Sequence, residues 1–354
     1  MRVTFLLPDV KFTTPSGGYR VHYEMASQLA HRGHDVTVVH TTRSRRVWLR
    51  SVLWRWRGRP MHEFVSWYPL SPRVRLQVVR RAAPRSTPST DVYLFTSWTT
   101  ALDWPRLRGR APAGVLVWDY EFWVEGDHER RASMRAAFAQ PGLTLIAGSD
   151  AVASMLETME LPVSAVIPPG IDHSVFQRGD GLAPRTAAGF LARTGPRRGM
   201  DDAVAALEAV RAQQPDTPFL VAGQSDREFP DWLQPRASGT DAQLADFYRE
   251  LAVFALPSKV EGLGLPALEA MACGAAVVVT DNGGSGQYAR HGENCLVVPV
   301  DDAAAMSDAV LCLLRDEARR ARVAAAGTAT AATYTWARAT DALEQQLTEI
   351  QRSS

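Results

Sequence analysis

Two glutamates eight positions apart, Glu261 and Glu269, sit in a run whose other residues shape the backbone: Pro257-Ser258-Lys259-Val260-Glu261-Gly262-Leu263-Gly264-Leu265-Pro266, continuing to Gly274. A carboxylate accepts hydrogen bonds from hydroxyls, so the pair suits a ligand with two separated polyols. Gly262 and Gly264 carry no side chain and let the backbone come close to a ligand. Pro266 stands where the first turn of a helix accepts proline, and Gly274 closes that helix. Free amides at the loop and helix start favour an oxygen-rich or anionic ligand. For Glu269 alone a second reading stays open, because glutamate near a helix start is also favoured by the helix dipole.

Two stretches in the first half also have chemical character. Pro15-Ser16-Gly17-Gly18-Tyr19-Arg20 follows a strand and opens a helix, without the G-x-G-x-x-G spacing of a dinucleotide site. Residues 43–59 interleave arginines with Trp48, Trp54, Trp56 and aliphatics at helical spacing. That pattern suits a basic helix lying on anionic lipid, a wall for an acceptor, or a solvated helix with its tryptophans turned inward.

These residues need a frame to hold them. Short apolar runs alternate with amphipathic stretches, the pattern of parallel α/β sheets. Strands are expected at 3–7, 35–40, 92–96, 114–118, 143–147 and 164–167, then at 189–192, 219–222, 253–255, 276–280 and 295–298. Helices are expected at 19–32, 200–213, 241–250, 266–273 and 337–351. Pro168-Pro169-Gly170 and the polar stretch to Leu182 interrupt the pattern, since two prolines continue neither a ladder nor a helix. The 354 residues are enough for two cores. Ligands of such sheets gather at the carboxyl ends of the strands.

Composition narrows the function classes. A net charge of +1 argues against a general nucleic-acid binder. Three scattered cysteines, Cys273, Cys295 and Cys312, form no metal or disulfide pattern and fit a reducing compartment. The apolar start is cut short by Pro8 and Asp9, too early for a signal peptide, and no run is long enough to span a membrane. The expected location is the cytoplasm, with membrane association through 43–59 as the open variant.

The glutamate-bearing segment resembles the E-x7-E motif of the retaining GT-B glycosyltransferases of family 4. Three further tracts follow in family order. Arg193-Thr194-Gly195-Pro196-Arg197-Arg198-Gly199 is similar to the GR…KG segment, with arginine at 198 where lysine is usual. Gly283-Gly284 with 292–299 resembles the GG…E…DG-N-G-L-L-V-P tract, and Ile167-Pro168-Pro169-Gly170-Ile171-Asp172 the interdomain P-N-G-V-D signature. The resemblance implies an α/β GT-B fold, with two doubly wound Rossmann-like domains facing a central cleft. Residues 1–168 would form the acceptor-side domain, completed by a returning helix at 335–354, and residues 169–334 the domain that binds a nucleotide sugar.

Roles follow from the same resemblance. Arg193 and Arg198 would bind the donor diphosphate, through charge-assisted bonds of about 1.5–3 kcal/mol each. Glu261, with the amides of Gly262, Leu263, Gly264 and Leu265, would hold the donor sugar, and Glu269 the ribose diol. Gly17 and Gly18 would lie near the donor phosphates. Trp118-Asp119-Tyr120-Glu121-Phe122 resembles the V-Q-D-Y-E-P segment of rhamnan-synthesis-type rhamnosyltransferases. This marks Asp119 or Glu121 as partner of the acceptor hydroxyl. Gln287 departs from the glutamate often found there, which leaves the sugar open.

The implied chemistry is front-face transfer with retained configuration from a nucleotide-diphosphate hexose or deoxyhexose, without cofactor or metal. The acceptor would be a hydroxyl of a natural product, a glycan or a lipid-linked molecule. A sugar-nucleotide epimerase of the same fold and a non-catalytic nucleotide-sugar binder are the rival readings.

Overall fold

A computed structural model describes residues 1–10, 17–118, 128–179, 185–225 and 227–353. The chain divides into two compact units, Met1–Pro169 with Trp336–Ser354, and Gly170–Thr335.

The first unit is built on a seven-stranded sheet in the order β3-β2-β1-β4-β5-β6-β7. Its strands are β1 (Arg2–Leu7), β2 (Asp35–Thr41), β3 (Arg75–Val79), β4 (Val92–Phe95), β5 (Ala113–Val117), β6 (Leu143–Ala147) and β7 (Val163–Val166). All of its ladders are parallel. Helices on both faces explain why β4 and β5 are buried along their whole length. The last helix, Trp336–Arg352, is fastened to this unit. Arg32, after the Gly17–His31 helix, donates to Asp341 (2.5 Å) and Glu344 (2.6 Å), and Ile350 reaches Gly114 of β5.

The second unit holds a six-stranded sheet in the order β10-β9-β8-β11-β12-β13. Its strands are β8 (Ala187–Ala192), β9 (Phe219–Gly223), β10 (Leu233–Arg236), β11 (Leu251–Leu256), β12 (Ala276–Thr280) and β13 (Leu296–Val298), again all parallel. Alternation sends Phe190, Val253 and Val278 into one core and Phe254, Leu256 and Val279 into the other.

Two strands were not foreseen, β3 and β10, and each is the outer strand of its sheet. An outer strand pairs on one side only and keeps polar residues. Thus β3 reads Arg-Leu-Gln-Val-Val, and β10 reads Leu-Gln-Pro-Arg with Pro235 inside it. Proline is tolerated at an edge because its missing N–H faces no neighbour.

Strand order reverses direction twice, between β1 and β4 in the first unit and between β8 and β11 in the second. These switch points leave a crevice at the carboxyl ends of the strands, where open α/β sheets take ligands.

Candidate functional site

At the second switch point, β8 ends at Ala192 and Arg193 follows; β11 ends at Leu256, and Ser258 and Glu261 follow. Two sequence segments 68 positions apart are thereby joined. The Arg193 guanidinium donates to Glu261 Oε1 at 2.6 Å and to Ser258 Oγ at 2.5 Å. Arg198 donates to both carboxylate oxygens of Glu261, at 3.2 and 3.3 Å. Glu261 is buried. Burial by itself pushes its carboxyl up, but the two guanidiniums outweigh it and hold the group below the ordinary carboxylate range. The result is a buried carboxylate between two cations, an arrangement that persists only while all three charges are present.

The loop around Glu261 is fixed from the next strand. The Glu261 amide donates to the Asn282 carbonyl (3.1 Å), and the Thr280 hydroxyl donates to the Ser258 carbonyl. Asn282 accepts from the Ser285 amide at 3.0 Å, and the Tyr288 hydroxyl donates to the Gly264 carbonyl at 3.0 Å. Two glycines are obligatory here. Gly264 has φ +85° and no room for a side chain beside Ser285 and Tyr288. At Gly284 a Cβ would lie 2.3 Å from the Glu261 carbonyl oxygen, so anything larger displaces the loop.

Helix Leu265–Ala272 begins directly after Gly264, with Pro266 in its first turn and no side chain capping its start. Leu263 is buried and packs into the core beneath, which ties the loop to the sheet. Glu269 lies on the buried face of the helix and accepts a hydrogen bond from the Tyr248 hydroxyl at 3.4 Å.

The first switch point is furnished differently. Gly17 and Gly18 open the Gly17–His31 helix, are exposed, and have empty space where a Cβ would go. Behind them lies a buried aromatic and histidine group. The Tyr23 hydroxyl bonds His40 Nε2 at 2.9 Å, and His40 Nδ1 bonds the Pro8 carbonyl at 2.7 Å. The carbonyl accepts, so Nδ1 carries the proton and Nε2 accepts from tyrosine. Tyr19 stacks on the His40 ring and donates to the Asp9 carbonyl at 2.6 Å. His22 is buried with its ring edge-on to Trp118, and among the described residues neither His22 Nδ1 nor Trp118 Nε1 has a hydrogen-bond partner. Burial lowers both histidines, His22 to about 3 with His40 adding to the effect, and His40 to about 4.

Of the residues singled out in the sequence, the fold brings Arg193, Arg198 and Glu261 into direct contact, with Gly262, Leu263, Gly264 and Leu265 in the same loop. Glu269 sits one helix turn and more beyond, and Gly17 and Gly18 belong to the other unit. Asp119 lies outside the described residues. Ser258, Tyr248, Asn282 and Tyr288 were missed. Ser258 was visible inside the glutamate-bearing run; the other three are recognisable only from their contacts. Among the described residues, no three histidine, cysteine, aspartate or glutamate side chains stand together as a metal site.

Residues 185–316 match the family described as Glycosyl transferases group 1. The D-inositol 3-phosphate glycosyltransferase of Acidothermus cellulolyticus is 27% identical over 389 residues, covering 91% of this chain and 83% of that protein. The enzyme of the same description from Stackebrandtia nassauensis is 33% identical over 207 residues, covering 50% of this chain. The match spans about half of that relative's length, 47%. Among solved structures, Anabaena HepE in complex with UDP superposes with a TM-score of 0.76 at 16% identity, over 99% of this chain and 100% of that one. At that identity the likeness concerns the fold, which is the GT-B architecture of two doubly wound units.

Proposed function

We propose that this chain, whose residues 185–316 match the glycosyl transferases group 1 family, transfers a hexose or deoxyhexose from a nucleotide-diphosphate donor to an acceptor hydroxyl, with retention. The observation that carries this reading is the convergence of Arg193 and Arg198 on buried Glu261 at the β8/β11 switch point.

In this reading the donor diphosphate takes the place that the Glu261 carboxylate holds between the two guanidiniums. The arginines exchange one anion for another, and Glu261 is freed to accept hydrogen bonds from the sugar hydroxyls. Arginine is suited to that exchange, because its planar fork meets a phosphate as well as a carboxylate. Ser258 holds Arg193 in place meanwhile. Glu269, its carboxylate oriented by Tyr248, receives the ribose diol. The amides of Gly262 to Leu265 face the sugar side of the diphosphate.

As the bond between the anomeric carbon and the diphosphate breaks, negative charge grows on the leaving group, and the two arginines stabilise it. The acceptor hydroxyl attacks from the face that the diphosphate leaves, so configuration is kept. The departing phosphate oxygen takes the hydroxyl proton. Asp119 is the candidate for orienting that hydroxyl. The acceptor belongs to the class of natural products, glycans or lipid-linked molecules.

A thermal-shift panel of UDP-, GDP- and dTDP-linked hexoses and deoxyhexoses tests the donor first; a ligand at 100 times its dissociation constant stabilises by about 2.7 kcal/mol. HepE's UDP complex makes UDP-sugars the first to try. The donor that shifts melting is then incubated with acceptors and the anomeric configuration of the product read by NMR. An inverted product would end the front-face reading. Acceptor-independent conversion of the donor would indicate an epimerase, and binding without turnover a non-catalytic partner.

A further inference from the structure

Among the described residues six large apolar side chains are exposed, and four of them, Leu49, Val52, Leu53 and Trp56, lie on the single helix Arg45–Trp56. Their spacing is i, i+3, i+4, i+7, so they form one stripe along one face. Trp56 is 83% exposed. The stripe does not hold the helix to the protein, because the opposite face does that. Ser51 is buried there, and the Trp54 ring packs edge-on against Phe64 while its Nε1–H donates to the Pro60 carbonyl at 3.0 Å. Ser44 caps the helix start by accepting from the Val47 amide. Folding is therefore satisfied without the outer stripe, and a contiguous exposed apolar stripe marks an interaction surface.

Charge identifies the partner. Seven arginines and no acidic residue occur between positions 43 and 59. Arg43, Arg45, Arg46, Arg55, Arg57 and Arg59 are exposed. An apolar stripe ending in tryptophan and flanked by guanidiniums matches an acidic lipid surface: the side chains enter the headgroup boundary while the cations meet phosphates. Nucleic acid would use the arginines and leave Leu49, Val52 and Leu53 without a role. We propose that the outer face of helix Arg45–Trp56 docks this protein on an anionic bilayer as a peripheral, non-spanning anchor. No described helix is long and apolar enough to cross a membrane.

Flotation of the full chain with vesicles tests this without any donor or acceptor, so its failure leaves the transfer reading untouched. Vesicles of equal parts phosphatidylcholine and phosphatidylglycerol are expected to carry the protein upward; pure phosphatidylcholine is not, and about 0.5 M salt weakens the effect by screening. Leu53→Ser with Trp56→Ser should abolish flotation while leaving melting unchanged. Replacing Arg45, Arg46 and Arg55 by glutamine should weaken vesicle affinity about fivefold per arginine removed. Three results would overturn the proposal: equal flotation with neutral vesicles, undiminished flotation of the Leu53→Ser, Trp56→Ser variant, or a dimer on sizing that this variant breaks with no vesicle binding by the wild type.

Discussion

The β8/β11 and β1/β4 switch points share the strand order around them, yet the chain equips them in opposite ways. At β8/β11 three charged side chains interlock, Arg193, Arg198 and Glu261, and Gly284 leaves no space for a further atom. At β1/β4 the described residues put two exposed glycines over open space, backed by neutral buried histidines. One site is already organised for a particular charge pattern. The other, among the described residues, leaves room. Preorganised charge suits the part of a reaction where charge develops, and open backbone suits a partner whose shape differs from case to case.

The contrast is sharpest under substitution. Arg193→Ala should have the largest effect, lowering transfer about 10²–10³-fold by analogy with loss of one stabilising donor. It also leaves buried Glu261 with Arg198 alone as its cationic partner and should cost at most about 3–5 kcal/mol of stability, read in urea melts. Glu261→Gln keeps the shape and separates the two roles. We expect it to lose most transfer yet bind free nucleoside diphosphate more tightly than wild type by calorimetry, because the arginines no longer have an internal anion. Weaker diphosphate binding in Glu261→Gln would refute the exchange of anions.

Gly284→Ala comes next. Its Cβ must push the Glu261 carbonyl, and a displacement on the order of 1 Å should lower transfer about 100-fold with a measurable drop in melting temperature.

Acid should separate the two units. His22 and His40 have lowered native values, so the unfolded chain binds protons that the folded chain refuses below the unfolded histidine value of about 6.5. The first unit then loses about 1.4 kcal/mol per pH unit for each histidine, until His40 titrates near 4 and His22 near 3. Glu261 has linkage of the same sign in a lower pH window. Its native value is depressed, so its contribution is present above the unfolded carboxylate value and is lost only as pH falls through the lower native one. Hydrogen exchange between pH 6.5 and 5 should show amides of Gly17–His31 losing protection before those of Leu265–Ala272. The reverse order would contradict this account.

The smallest effect is expected at the open site. Gly17→Ala meets nothing within 4 Å and should leave melting unchanged. Any loss of transfer in that variant then reports contact with ligand, and full activity would remove Gly17 from the donor-side proposal.

Legibility in the sequence followed burial. Helices Met200–Gln213 and Asp241–Glu250 were read to the residue, because each carries a regular apolar face between clear ends. Interior strands such as β11 and β12 were found because both faces are covered and their runs are wholly apolar. Edge strands β3 and β10 escaped for the complementary reason. The loop from Ser258 to Gly264 announced itself because Gly264, and Pro266 just beyond it, are required locally. Tyr248, Asn282 and Tyr288 gave no such signal. A buried tyrosine or asparagine is ordinary in any core, and only its partner distinguishes it.

Local periodicity and backbone requirements thus determined from the chain alone that two parallel α/β units form and that a glycine-lined turn carrying Glu261 closes one of them. Those properties depend on neighbours a few positions apart. Tertiary structure decided what lies across space: that Glu261 stands between Arg193 and Arg198, that Trp336–Arg352 packs on the Gly17–His31 helix through Arg32, and that Leu49, Val52, Leu53 and Trp56 face outward rather than in. Electrostatic pairing and exposure depend on which surfaces meet after the chain has returned on itself, and periodicity carries no record of that meeting.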